Sequence, residues 1–209
     1  MKALPEPAHR ELRAGISLRY GTALTEGLLM TSRDGTRFKR WPEAFLRPGV
    51  EREGTWNYGH QFMAWHVVET RSALEGAPNE LSLYGTESYW TDDSSALRRY
   101  TLRMDGFVSV RAPMSGGELI SKPLRFQGRR LVLNLATSAA GGVRVEIQDA
   151  AGKAMPGFAL EDCPPLFGDS LERDVTWTSG GDLGALVGKP VRLRFVLNDA
   201  DVFSFQFQN

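Results

Sequence analysis

The side chains best suited to chemistry are concentrated in two aromatic-rich segments of the first half of the chain. The first, residues 53–65 (EGTWNYGHQFMAW), places five aromatic or imidazole rings within ten residues. Flat rings stack on the apolar faces of sugar rings, while amide and imidazole groups hydrogen-bond to hydroxyls. This mixture is typical of a site for a neutral polyhydroxylated ligand, and the predicted binding residues are Trp56, Asn57, Tyr58 and His60.

The two rings that end this segment have a second interpretation. Phe62 and Trp65 fall on a predicted strand, residues 61–69, where an aromatic side chain more often packs in the core than binds a ligand. We therefore expect both rings to be buried.

The second segment, residues 83–90 (LYGTESYW), carries a carboxylate at the end of a predicted strand. Aromatic side chains around Glu87 would raise its pKa, which suits a general acid for glycosidic cleavage. Tyr89 and Trp90 are the predicted binding residues beside it. Glycoside hydrolysis normally uses two carboxylates, and the sequence singles out only Glu87, so a hydrogen-bonding or structural role for Glu87 stays open.

Composition and charge exclude several classes of partner. The 209 residues carry 25 basic and 25 acidic side chains, so no net charge favours nucleic acid or an anionic membrane. The first 15 residues lack the apolar stretch of a signal peptide or anchor, and localisation stays unassigned. The three histidines lack metal-ligand spacing and no cofactor motif occurs, so we expect neither metal nor cofactor. Cys163, beside two prolines, is expected to be a small buried hydrophobic residue.

The elements that must position these residues are strands. Apolar and polar residues alternate between turn residues along the chain, which predicts an all-β fold. In the last hundred residues, alternation over 130–137 and 143–147 flanks Gly141 and Gly142, and alternation over 191–197 and 202–207 flanks a polar turn. We expect two hairpins here, and a further hairpin turn at Gly116-Gly117. Residues 111–209 then form an antiparallel β-sandwich, with a short helical turn at 182–188.

Residues 1–110 have a different pattern. A strand at 28–31, a tight turn at 33–36 and a returning strand at 37–41 precede a long loop over 42–59, and further strands are expected at 61–69, 81–87 and 97–103. The result is a meander about the size of one β-propeller blade. The turn at 32–38 (SRDGTRF) resembles the Asp-box hairpin of sialidase-like propellers with one residue missing between Asp34 and Gly35. In such a turn the Asp accepts backbone N–H groups, the Gly takes a positive φ, and the aromatic residue, here Phe38, packs under the hairpin.

A family resemblance extends over most of the chain from residue 27 onward. It rests on FLRPG at 45–49, the aromatic loop, YGTESYW at 84–90, LRRYTLRMDGFVSV at 97–110 and KPVRLRF at 189–195. Together these resemble the C-terminal half of glycoside-hydrolase-like proteins in which a five-bladed propeller of the fructosidase and arabinanase type is followed by a β-sandwich. The resemblance implies a carbohydrate ligand, an exit from the propeller at residues 104–107, and a secreted or periplasmic location for related proteins.

Three functions follow as alternatives. The chain is part of a propeller glycosidase with Glu87 in its active site, or a non-catalytic carbohydrate-binding module, or a structural accessory domain. Propellers of this type close with about five blades, and residues 1–110 supply too few strands. Open strand edges would then pair with upstream blades or with a second copy of the chain.

Overall fold

The computed structural model describes residues 26–47, 61–87 and 96–209. The predicted all-β class is confirmed: the described elements are antiparallel strands with two short 3₁₀ segments, Leu160–Asp162 and Gly184–Leu186, and the sheets are not closed. The chain divides into two compact units, Met1–Leu102 and Arg103–Asn209. Residues 103–110, which the sequence analysis grouped with the meander, therefore belong to the second unit.

The first unit contains a hairpin and a three-stranded sheet. The hairpin pairs β1 (Gly27–Ser32) with β2 (Phe38–Leu46), and the sheet has the order β3 (Val68–Thr70), β4 (Glu80–Glu87), β5 (Ala96–Arg103).

Two sequence expectations for the first unit were wrong in extent. The loop expected from residue 42 begins later, because β2 continues to Leu46. Pro42 lies in a bulge, because the paired residues change from Met30↔Arg40 to Leu28↔Ala44. Proline has no backbone N–H, and in a bulge this does not remove a hydrogen bond between the two strands. The strand expected over 61–69 is regular only at Val68–Thr70, with one isolated bridge before it.

The second unit is built on one five-stranded sheet. Its strands are β6 (Val110–Ala112), β7 (Gly117–Ile120), β8 (Arg130–Asp149), β9 (Asp169–Asp174) and β10 (Val191–Gln208). The order is β6, β10, β8, β9, and β7 also pairs with β10. The long strands β8 and β10 pair antiparallel from Val191↔Asp149 to Gln208↔Arg130. The fold of this unit is sandwich-like.

The predicted hairpins at Gly141-Gly142 and at residues 198–201 were wrong. Both segments are bends within β8 and β10, which pair with each other instead of folding back on themselves. Gly141 is required at this bend, because a Cβ there would lie 2.4 Å from the carbonyl oxygen of Asp199. Asp199 itself takes a positive φ of 39°. The turn-forming residues at 141–142 and 198–201 therefore lie where the backbones of the paired strands β8 and β10 bend and approach closely.

The Gly116-Gly117 turn was also predicted wrongly as a hairpin. Gly116 has a φ of +89° and donates its N–H to the Pro113 carbonyl at 2.9 Å, so a tight turn is present. However, β6 and β7 lie in the same direction along one edge of β10. The turn therefore interrupts one edge strand, whose two parts, β6 and β7, pair with successive segments of β10.

One face of the long strands supplies the hydrophobic core. On β8 the odd-numbered side chains are buried on both sides of the bend, and on β10 a bulge between Asn198 and Ala200 shifts the alternation by one residue, so that Ala200 and Val202 also face inward. Burial of apolar surface drives this arrangement. The strand residues of the core are Leu131, Leu133, Leu135, Val143, Val145, Ile147, Val191, Leu193, Phe195 and Leu197.

Three residues outside the long strands behave as their sequence context predicts. Cys163 is buried, and burial raises the pKa of its thiol. Asp182 accepts the N–H of Gly184 at 2.8 Å at the start of the predicted helical turn, and Gly188 ends it with a φ of +74°.

The first unit differs sharply in burial. In its described residues no hydrophobic side chain is buried, whereas the core residues all lie in the second unit. Its strands therefore leave apolar surface exposed.

Candidate functional site

The structure describes one of the seven predicted site residues. Glu87 is the last residue of β4. Trp56, Asn57, Tyr58, His60, Tyr89 and Trp90 lie outside the described residues.

A short segment, residues 61–64, extends the sheet beside the end of β4. The N–H of Phe62 donates to Thr86 Oγ1 and the N–H of Thr86 donates to the Phe62 carbonyl, each at 3.0 Å. Met63 forms an isolated antiparallel bridge with Gly85. This pairing places Gln61 opposite Glu87 in register.

Gly85 lets the side chains on this face approach closely. A Cβ at residue 85 would lie 2.8 Å from the sulfur of Met63 and 3.3 Å from the Tyr100 ring. Because glycine has no side chain, Met63 and Tyr100 can cover the strand between them. The Tyr100 hydroxyl thereby reaches the carboxylate two residues further along β4.

Four polar side chains form a continuous hydrogen-bonded chain at this end of the sheet. The Gln61 amide Nε2 donates to the Tyr100 hydroxyl at 2.9 Å, and this hydroxyl donates to Glu87 Oε1 at 3.2 Å. The guanidinium of Arg98 lies 2.5 Å from Glu87 Oε2. We call Gln61, Glu87, Arg98 and Tyr100 the Glu87 cluster.

The raised pKa values of Tyr100 and Arg98 keep both groups protonated, so both act as hydrogen-bond donors. Partial burial, followed by the charge of Glu87 and the hydrogen bond to it, raises the pKa of Tyr100. The hydrogen bond to Glu87 and its charge likewise raise the pKa of Arg98. Tyr100 thus stays a neutral donor and Arg98 a cation, and the charges of Arg98 and Glu87 balance.

The described groups in contact with the Glu87 carboxylate are polar, while Tyr89 and Trp90, which the sequence placed beside it, lie outside the described residues. Among the described residues its carboxylate oxygens contact a guanidinium and a hydroxyl, and its side chain is 26% exposed. Glu80, at the other end of the eight-residue β4, pairs with Arg99. Seven steps along a strand separate residues by about 23 Å, whereas the carboxylates of glycosidases lie about 5–9.5 Å apart. Glu80 therefore cannot be the second carboxylate.

The expectation that Phe62 and Trp65 are core residues was wrong. Phe62 is 52% exposed and Trp65 is 87% exposed. The pairing with β4 is interrupted after Ala64 and resumes at Val68, and His66 takes a positive φ of 74° immediately after Trp65. The backbone leaves the sheet between these two points, so the indole of Trp65, four residues after Gln61 in the chain, lies on the surface.

Sequence reasoning missed the roles of Arg98 and Tyr100. They lie two apart on β5 and so project from the same face, toward the end of β4 that carries Glu87. The alternation in LRRYT was visible, but its partner residues depend on strand register, which the sequence did not determine.

Comparison with known proteins finds no matching family model, no matching curated protein and no matching solved structure. No helix in the described ranges has the length and apolar character needed to span a membrane. The same ranges hold no group of three or more His, Cys, Asp or Glu side chains suited to a metal ion.

Proposed function

We propose that this chain binds a neutral glycan through the Glu87 cluster and the exposed aromatic side chains of residues 61–65. The observation that carries the proposal is the hydrogen-bonded chain from Gln61 through Tyr100 to Glu87 and Arg98, with the exposed side chains of Phe62 and Trp65 one and four residues after Gln61 in the chain. The relation to propeller and sandwich glycosidases rests on the sequence resemblance and stays a prediction.

The chemistry of the cluster matches that of hydroxyl groups. A sugar hydroxyl both donates and accepts a hydrogen bond. Glu87 accepts, and Arg98, whose side chain is 55% exposed, donates. Because their charges compensate, the cluster favours an uncharged ligand over an anion or a cation. The exposed indole of Trp65 supplies a flat apolar surface of the kind on which a sugar ring stacks.

Binding without hydrolysis is the better supported form of this function. A general acid must give up a proton to the leaving group. The side chain of Glu87 instead accepts a hydrogen bond from Tyr100 and forms an ion pair with Arg98. Hydrolysis also needs a second carboxylate across the scissile bond; among the described residues Glu80 is too far away, while Glu51, Glu53, Asp92 and Asp93 lie outside them. We therefore assign Glu87 to ligand binding.

Titration with neutral oligosaccharides tests the proposal. Fructo-, arabino-, xylo- and cello-oligosaccharides would be titrated into the full chain by calorimetry, alongside Glu87→Gln and Trp65→Ala. We expect at least one series to bind and each substitution to weaken its affinity about tenfold, through a lost charged hydrogen bond or a lost stacking surface. Glu69→Gln and Phe38→Ala are matched controls at exposed positions of the same unit.

Three outcomes decide between the forms of the proposal. Binding that is weakened by the two site variants and unaffected by the controls supports it. Release of reducing sugar that is abolished in Glu87→Gln would replace binding with hydrolysis. If none of the four series binds, the carbohydrate proposal for this surface is wrong.

A structural accessory function is the second candidate, because the first unit exposes much apolar surface. Leu74 is 73% exposed and Leu97 is 72% exposed, and large exposed apolar patches often mark protein interfaces. If this surface pairs with a second copy, sedimentation velocity will show a dimer that Leu74→Lys and Leu97→Lys dissociate. A concentration-independent monomer would exclude self-association.

A further inference from the structure

A polar pocket lies in the second unit and is lined only by residues of that unit. Its volume is about 420 Å³, within the range of about 300–1,000 Å³ that is typical of ligand pockets. It shares no residue with the Glu87 cluster.

The floor of the pocket is the face of the sheet opposite the core. Even-numbered side chains of β8 project from this face, since the odd-numbered ones are buried. Asn134 pairs in register with Ser204, and Val132 pairs with Gln206. The floor thus combines an apolar side chain with amide and hydroxyl groups.

One wall is the turn at residues 104–105, which the sheet holds in place. Asn134, only 4% exposed, donates from Nδ2 to the Met104 carbonyl at 2.7 Å, and its Oδ1 accepts from Arg103 at 2.6 Å. Ser204 donates to Asp105 Oδ2 at 2.8 Å. These intramolecular bonds hold the wall in place, and a preformed wall lowers the ordering cost of binding.

Gln208, Gln206 and Glu172 also line the pocket, and Gln208 Oε1 accepts from Arg130 at 3.1 Å. Gln208 Nε2 contacts Glu172 Oε1 at 3.5 Å and Gln206 Oε1 at 3.3 Å, both longer than the usual 2.7–3.2 Å of an N–H···O bond. Such weak contacts are readily exchanged for better bonds to a ligand. Together the three side chains offer amide donors and carboxylate and amide acceptors.

The charges of the pocket limit its ligand. The charged side chains lining it in the described part of the chain are Asp105 and Glu172, and no Lys or Arg side chain lines it. Arg103 and Arg130 hydrogen-bond to the lining residues Asn134 and Gln208, but each forms an ion pair with an aspartate, Asp169 or Asp174, so the carboxylates of the lining disfavour an anionic ligand. Donors and acceptors beside the apolar side chain of Val132 match a molecule whose groups both donate and accept, which is the property of hydroxyls.

We infer that this pocket binds a neutral sugar of one or two units, at a site separate from the one proposed at Glu87. The inference does not depend on the first site, because the two sets of residues lie in different units and are held by different strands.

Nuclear magnetic resonance of the isotopically labelled full chain tests the inference. Glucose, xylose, arabinose, cellobiose and sucrose would be added separately, with choline chloride as a cationic probe. We expect at least one sugar to shift the side-chain amide signals of Asn134, Gln206 and Gln208. In the same spectra, the amide signal of Gln61 reports the Glu87 cluster, and the indole signal of Trp65 reports the aromatic part of the first proposed site.

Substitutions at exposed positions give the decisive comparison. Gln206→Ala removes one neutral hydrogen-bonding group and should weaken binding about fivefold, whereas Glu172→Gln removes a charged acceptor and should weaken it about tenfold or more. Gln127→Ala, at an exposed position that does not line the pocket, is the matched control and should bind as the unmodified chain does. Thermal unfolding of each variant verifies that the fold is retained.

The outcomes separate the two sites. Sugar-dependent shifts at Asn134, Gln206 and Gln208 that weaken in the two variants support the inference, whatever happens at Trp65. Shifts confined to Trp65 and Gln61 would overturn it and leave the proposed function intact. No shift with any sugar, or shifts at the pocket with choline alone, would also overturn it.

Discussion

Asp34 shows how one carboxylate can hold a turn on an exposed surface. Its Oδ1 accepts the backbone N–H groups of Thr36 at 2.9 Å and Arg37 at 2.7 Å, while Gly35 takes a φ of +73°. The turn chemistry predicted for residues 32–38 is therefore confirmed. The aromatic part of that prediction was wrong, because Phe38 is 57% exposed. A ring packs under a hairpin only where a core lies beneath it, and no hydrophobic side chain among the described residues of this unit is buried.

The Asp34 turn should lose stability in acid. The backbone hydrogen bonds from Arg37 and Thr36 lower the pKa of Asp34 from 3.8 to about 2. Because the folded pKa is depressed, the stabilisation is present above pH 4 and is lost as the pH falls toward 2. A carbon-detected titration of the Asp34 carboxyl signal should give this low midpoint. Asp34→Asn keeps the acceptor oxygen without the charge, so its turn should show no such pH dependence; a midpoint near 3.8 would contradict the hydrogen bonding.

For the Glu87 cluster, the sequence singled out the carboxylate but not the side chains that contact it. Glu87 was identified as chemically distinctive because it ends a strand among aromatic side chains. Its partners were not, since Arg98 and Tyr100 reach it from the neighbouring strand β5, and the sequence does not determine how β4 and β5 pair. Residue type and spacing therefore located the carboxylate, while its electrostatic environment followed from tertiary structure.

Strand positions in the second unit were largely predictable, and strand connections were not. Alternation over 130–137, 143–147 and 191–197 identified core-facing side chains that are buried in the structure. Gly141-Gly142 and the polar residues at 198–201 look like hairpin turns in sequence because both features need a small or flexible residue. The structure uses them to let β8 and β10 bend where their backbones approach closely.

Substitution of the two glycines at this bend should separate close approach from simple flexibility. An alanine Cβ at Gly141 would meet the Asp199 carbonyl oxygen at 2.4 Å and the Asn198 carbonyl oxygen at 2.7 Å, whereas at Gly142 the nearest atom is 3.5 Å away. We expect Gly141→Ala to lower the free energy of unfolding by about 1–3 kcal/mol, as overpacking does. Gly142→Ala should change it by less than about 1 kcal/mol. Urea unfolding measures both, and equal losses would rule out the close contact as the cause.

At the scale of the whole molecule, the two units are stabilised differently. The second unit has a continuous core, in which Trp177 is 3% exposed and donates its indole N–H to the Val145 carbonyl at 2.9 Å. The described strands of the first unit expose apolar side chains instead. The candidate binding surface at Glu87 thus lies among described strands that bury little apolar surface, which is the expected location of regions that open at low free energy.

The second unit should therefore fold without the first. We expect a fragment of residues 103–209 to unfold cooperatively on heating, followed by circular dichroism, because every buried hydrophobic residue that the structure describes lies within it. Within the fragment, Leu133→Ala should cost about 2–5 kcal/mol, since Leu133 is fully buried. Ile120→Ala, at a position 44% exposed, is the control and should cost much less. A fragment without a cooperative transition would mean that residues 1–102 supply part of the core on which the second unit depends.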